Sequence, residues 1–237
     1  MNVYPVNAME GAVLNSRQRE AHSHMIDIHN KYLEFTVDFS RPEIKIYGKW
    51  DKQVQADTFI VANTNAEAGN IRLKLRGDVV LEKHFATKEY INIIDFEGLK
   101  QFDEIVLGFR GEANVKIGLL FTGEKWTLPR FVALPRKTLS LRNEGGRTFS
   151  GQVTGIPVNT LKTFGCGFVR IKNEEVKKIN DYINGVQTII PHIIDVYPKA
   201  RQEFPPFFAT VTEYGEKEKR AENGFFWNFE ITWMEAR

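Results

Sequence analysis

The chain has 237 residues, 42% hydrophobic and 12% aromatic, enough to bury one large core or two small ones. Its 32 basic and 30 acidic residues leave a formal charge of +2, which disfavours a nucleic-acid partner held by a strong basic field. No apolar run approaches the roughly 20 residues that span a bilayer, and the N-terminus lacks the basic-then-apolar order of a signal peptide, so a soluble chain without membrane insertion is expected.

A single cysteine, Cys166, excludes an intramolecular disulfide and a cysteine-based structural zinc site, which fits synthesis in a cytoplasm and stability from packing. Residues 1–24 are polar and aperiodic and are expected to form an extended or partly ordered N-terminal arm. From about Met25 the pattern is one of short strands: 32–39, 43–47 and 58–62, divided by Pro, Gly, Asp and Asn. In Ile71-Arg72-Leu73-Lys74-Leu75-Arg76 apolar and basic residues alternate, as a half-exposed strand requires, and Gly77-Asp78 makes a turn. Further strands are read over 79–85, 90–94, 102–109 and 114–121, with no helix between them. Residues 25–125 are therefore expected to form an antiparallel β-sandwich.

Beyond Gly123, Trp126 is followed by Pro129 and Pro135, which remove backbone donors and hold the chain extended, so 126–136 is read as a linker. The remainder, 137–237, is read as a β-rich α+β domain with one helix over 174–184. Asn173 is its expected N-cap, Glu174 and Glu175 suit the positive end of the dipole, and Val176, Ile179 and Ile183 form the buried stripe. Gly185 is the expected left-handed C-terminal residue. An edge strand is expected over 187–197, another strand over 207–214, and a charged hairpin tip over 215–223. The last strand places Phe225, Trp227, Phe229, Ile231 and Trp233 on one face; burying them contributes on the order of 10 kcal/mol before the entropy of ordering.

Candidate chemistry is sparse. His22, His24 and His29 could grip a metal, yet no carboxylate partner accompanies them, and no metal or cofactor is expected. Cys166 lies between two glycines without a His-Asn pattern and is read as packing. His84 faces outward on its strand, and His192 lies in an apolar run where a satisfied core histidine is the commoner role. Asp95 with Glu97, or Asp103 with Glu104, could be offered as a hydrolytic carboxylate pair, but adjacent acids at strand ends more often serve turns and surfaces. Gly145-Gly146-Arg147 lacks the rest of a phosphate loop and reads as a turn. No catalytic residue is identified and the chain is not expected to be an enzyme. Trp50 and Trp126 remain as aromatic faces that could stack on a sugar.

Several runs resemble phage and prophage tail proteins that pair a galactose-binding or discoidin-like jelly roll with a C-terminal tail domain. These are Asp57-Thr58-Phe59-Ile60-Val61-Ala62-Asn63-Thr64-Asn65, Phe102-Asp103-Glu104-Ile105-Val106-Leu107 and Val115-Lys116-Ile117-Gly118-Leu119-Leu120. The join Phe121-Thr122-Gly123-Glu124-Lys125-Trp126-Thr127-Leu128-Pro129 is similar to a Phe-x-Gly-x-x-Trp-x-x-Pro run of that family. Gly145 to Gln152 and Pro205-Pro206-Phe207-Phe208 fit the same pattern. The resemblance implies a structural virion protein of the tail tip or baseplate, like distal tail proteins, made in the host bacterial cytoplasm. It would assemble as a homo-oligomeric ring and join the tail tube to host-recognition parts, with other tail proteins as partners. The alternative is a carbohydrate-binding module or host-surface adhesin, because jelly rolls of this type often bind sugars, here a host-surface glycan.

Overall fold

The computed structural model describes residues 1–16, 37–129, 136–147, 153–186, 190–221 and 224–236. It is mainly β with one α-helix, and the chain divides into two compact units. One comprises residues 2–127 and 192–207; the other is built chiefly from 128–191 and 208–236. This division differs from the expected 25–125 and 137–237, because residues at both ends of the expected sandwich, and a later segment, join it.

The first unit is an antiparallel sandwich. Its strands are β1 (Asn2–Tyr4), β2 (Val13–Ser16), β3 (Val37–Asp38), β4 (Glu43–Thr64), β5 (Ala68–Leu75), β6 (Asp78–Ala86), β7 (Ile91–Arg110), β8 (Lys116–Gly123), β9 (Trp126–Thr127) and β12 (His192–Asp195). Residues 43–49 of β4 pair with β2 on one side and with 104–110 of β7 on the other, and β7 continues the layer to β5 and β6. Residues 58–64 of β4 pair instead with 91–95 of β7 and with β8, which carries β3. Strands expected as separate, 43–47 with 58–62 and 90–94 with 102–109, are thus two continuous strands that pass from one layer to the other. In β4 the turn comes where the ladder slips between Lys49 and Val54, at the exposed residues Asp51, Lys52 and Gln53. In β7 it comes near Gly98, whose φ of +77° suits glycine.

Side chains of the two layers share one core, including Ile44, Ile46, Phe59, Val61, Ile71, Ile105, Leu107 and Phe109. The β5–β6 hairpin turns through Arg76 and Gly77, both at positive φ (53° and 95°), as the twist of a two-residue hairpin demands.

Residues 1–16, expected as an arm, are part of this core. Val3, Tyr4 and Met9 are buried, β1 lies between β12 and β9, and a 3-10 turn spans Ala8–Gly11. Asn7 is the reason the segment holds. Its Oδ1 accepts from Met9 N–H and Thr122 N–H, and its Nδ2 donates to Leu120 O, so one side chain satisfies backbone groups of the turn and of β8. Beside it, Val6 O stands where a side chain on Gly123 would begin: a Cβ there would lie 2.4 Å away. Trp126 and Thr127, expected within a linker, form β9 because β1 offers them a free edge. The rest of that expected linker up to 135 lies outside the described residues from 130 onward.

The second unit has β10 (Arg136–Arg147), β11 (Val153–Ile171), β13 (Phe207–Ala221) and β14 (Gly224–Glu235), in the order β10-β11-β14-β13, and the helix α1 (Asn173–Val186). Phe229, Ile231 and Trp233 are buried on one face of β14, as the alternation requires, while Trp227 is half-buried and donates to Asn173 Oδ1 at 2.9 Å. Asn173, expected as the cap, is the first helical residue. Lys172 takes the cap position, its O receiving Glu175 N–H and its N–H reaching Glu175 Oε2. Gly185 stays inside the helix without a positive φ. The helix buries Ile179, Tyr182 and Val186, and Trp233 Nε1–H donates to the Tyr182 hydroxyl at 2.8 Å. The expected tip over 215–223 is instead paired strand out to Ala221 opposite Gly224. Gly145 and Gly146, expected in a turn, pair with Gly155 and Thr154.

Candidate functional site

The site is built on β12 and the turn that follows it. The run Ile193-Ile194-Asp195-Val196 buries a carboxylate in an apolar strand: Asp195 is 0% exposed. Its partner, Arg201, comes from the loop that follows, in which Tyr197 and Phe204 pack ring to ring at 4.7 Å. Arg201 Nε–H donates to Asp195 Oδ2 at 2.8 Å, and its Nη2 reaches Asp95 Oδ2, on β7, at 3.1 Å. Lys125, between β8 and β9, holds the other oxygen of Asp95 at 3.2 Å. Arg201, Asp95 and Lys125 are part-exposed, so the cluster opens to solvent on that side.

Beneath it lie two orphaned atoms. Asp195 Oδ1 and the Tyr4 hydroxyl are buried without a hydrogen-bond partner of good geometry, the Asn2 side chain standing beside Tyr4. The pairing of Asn2 with Asp195 and Tyr4 with Ile193 brings these groups to one face of the β1–β12 ladder. Burial pushes the Asp195 carboxyl above the usual range, and Asp95 adds to this while Arg201 opposes it. Burial likewise raises the Tyr4 hydroxyl, reinforced by the charges of Asp195 and Asp95, so it stays a proton donor. Partial burial works against the Arg201 charge, but its bond to Asp195 outweighs this and raises its pKa. Two carboxylates, one guanidinium and one ammonium sum to zero charge. The arrangement offers fixed donors and acceptors without favouring an anion or a cation.

The residues singled out from the sequence fall elsewhere, apart from Asp95. Trp50 presents no face to a ligand: it is 5% exposed, packs edge-on to Phe102 at 5.2 Å, and its Nε1–H donates to Ala8 O at 2.7 Å. The docked N-terminal segment supplies that acceptor. Trp126 is half-exposed on β9 opposite Val3. Asp103 accepts Arg76 N–H and Glu104 pairs with Lys49, so both carboxylates serve the fold. Glu97 is exposed, as is His84; His192 is buried on β12. Cys166 is buried and its thiol is pushed up to about 12 by desolvation, which removes it as a nucleophile. His22, His24 and His29 lie outside the described residues. No group of three metal-ligating side chains occurs among the described residues.

Tyr4, Lys125, Asp195 and Arg201 were not singled out from the sequence. Asp195 carried a signal, a charge inside an apolar strand. Arg201 carried none, because only the fold brings it to Asp95 across 106 residues.

No family model and no curated protein matches the chain. Solved structures resemble about half of it. The SpGH29 crystal structure matches 52% of this chain with a TM-score of 0.44 and 10% identity, and the chain covers 28% of that protein's length. The family 32 carbohydrate-binding module of Streptococcus pneumoniae EndoD matches 50% of this chain and 99% of its own, with a TM-score of 0.41 and 11% identity. A Streptococcus pneumoniae fucose-binding module matches 52% and 99%, with a TM-score of 0.40 and 11% identity.

Proposed function

We propose that the sandwich unit is a non-catalytic glycan-recognition module. The observation that carries this reading is the charge-neutral, part-exposed cluster of Asp95, Arg201 and Lys125 over the unpaired Asp195 Oδ1. A sugar hydroxyl both donates and accepts, so it matches a fixed array of both kinds of group, whereas a phosphate or a cation meets as much repulsion as attraction. Asp195 is fully buried and both carboxylates are tied to one arginine, which suits binding and leaves neither free as a general acid. A glycan array probed with the full chain and with Lys125→Ala tests it. Binding that Lys125→Ala weakens supports the reading; an array without a hit, or hits indifferent to Lys125, counts against it.

A second reading is a structural subunit of a phage tail tip or baseplate, assembled as a ring in the virion with other tail proteins. The outer strands β6 and β10 have no further strand partner among the described residues, which suits a chain that builds assemblies by edge contacts. Electron micrographs of the purified chain with tail partners separate the two: closed rings support this second reading, and a dispersed chain opposes it.

A further inference from the structure

We propose that Phe204 is the stacking platform of the glycan site, receiving the C–H face of a neutral pyranose whose hydroxyls meet Asp95 and Lys125. The inference rests on the glycan reading above and adds to it the ring face that the polar cluster lacks. Phe204 is 51% exposed, yet its ring is supported from one side. It packs on the half-buried Tyr197 ring at an interplanar angle of 47°, and its N–H donates to Ala200 O at 2.9 Å. Ala200 N–H in turn donates to Tyr197 O at 2.8 Å, so the two rings close one short loop. Tyr197 precedes Pro198 and Phe204 precedes Pro205, and a residue before proline has a restricted backbone. A ring held in this way loses little entropy when a ligand settles on it.

The same loop sets Phe204 beside the charged cluster. The bond from Phe204 N–H to Ala200 O closes one helical turn, and within such a turn the side chains of Arg201 and Phe204, three positions apart, are neighbours. Arg201 is tied to Asp195 and Asp95, which fixes the turn relative to the cluster. The half-exposed Trp126 does not compete for this role. It pairs with Val3, and Val3 with Ile194, so these three share one face of the β9–β1–β12 ladder, whereas Asn2, Thr127 and Asp195 share the other. Polar contacts remain for a ligand, since an ammonium has three donors and the bond from Lys125 to Asp95 uses one, with both side chains part-exposed. A pyranose carries a face of C–H bonds and a rim of hydroxyls, so it meets an aromatic ring and a charge-neutral polar cluster together. An anionic sugar gains nothing from zero net charge, and an open-chain polyol has no rigid face to stack.

The test is saturation-transfer NMR of the full chain with the methyl pyranosides of β-D-galactose, β-D-glucose, α-D-mannose and α-L-fucose, and with sorbitol as the open-chain control. At least one pyranoside is expected to receive saturation mainly at the ring C–H protons of one face. Those protons are expected to shift upfield on binding, as protons above an aromatic ring do, and sorbitol to show neither effect. F204A is expected to weaken binding roughly tenfold, F204L to abolish the upfield shift while keeping apolar bulk, and F204W to retain both binding and shift. Circular dichroism checks that each variant is folded. Binding that K125A weakens but F204A leaves unchanged, or an upfield shift that persists in F204L, would overturn the platform while the glycan reading stands. No transfer to any pyranoside, or binding indifferent to both F204A and K125A, would overturn the two together.

Discussion

At Asp195, burial on β12 works against the ionised carboxylate, and Arg201 offsets only part of that cost. The folded chain therefore binds this proton more tightly than the unfolded chain. Its contribution to stability is fully present below about pH 3.9, the ordinary carboxylate value, and is lost as pH rises through the raised folded value. Urea midpoints measured against pH should show this fall in the native chain relative to Asp195→Asn, and equal slopes would contradict the account. Cys166 follows the same rule with a different readout. With its thiol pushed up to about 12, iodoacetamide at pH 8 should leave it unmodified in the folded chain and modify it in urea, as mass spectrometry would show. Trp50 is a third buried group; Trp50→Ala should cost about 3–5 kcal/mol of stability, read by denaturant unfolding, because it empties the corner beside Phe102 and frees Ala8 O.

The N-terminal segment is an element whose hold depends on two residues. Asn7→Ala leaves the buried Thr122 N–H and Leu120 C=O without their partner and should destabilise the chain by about 3 kcal/mol. Gly123→Ala sets a methyl against Val6 O and should cost about 1–3 kcal/mol, since the obstacle is backbone and cannot rotate aside. Unfolding midpoints unchanged in both variants would show that residues 1–16 are not part of the sandwich. Alternation made the strands legible in the sequence, from Ile71 to Leu75 and from Phe229 to Trp233, because a two-residue period follows directly from one buried face. What stayed hidden has a common cause. Residues 1–16 show no period because their two strands, β1 and β2, are only three and four residues long and are divided by the 3-10 turn that Asn7 caps, and the bends in β4 and β7 carry no break because polar bulges and Gly98 turn the strands without ending them.

For the whole molecule, the functional reading depends on side chains that meet only through the fold. Asp195 and Arg201 stand six residues apart, but Asp95, Lys125 and Tyr4 reach them from three other places in the chain, so no local motif announced the cluster, and the tryptophans that the sequence offered lie outside it. The most direct measurement is calorimetric titration of the full chain with the oligosaccharides retained on a glycan array, beside Lys125→Ala and Trp126→Ala. Saturable binding that weakens roughly tenfold with Lys125→Ala and is unchanged with Trp126→Ala is the expected result. No heat with any oligosaccharide, or loss of binding with Trp126→Ala alone, would contradict a glycan site at the Asp95–Arg201 cluster.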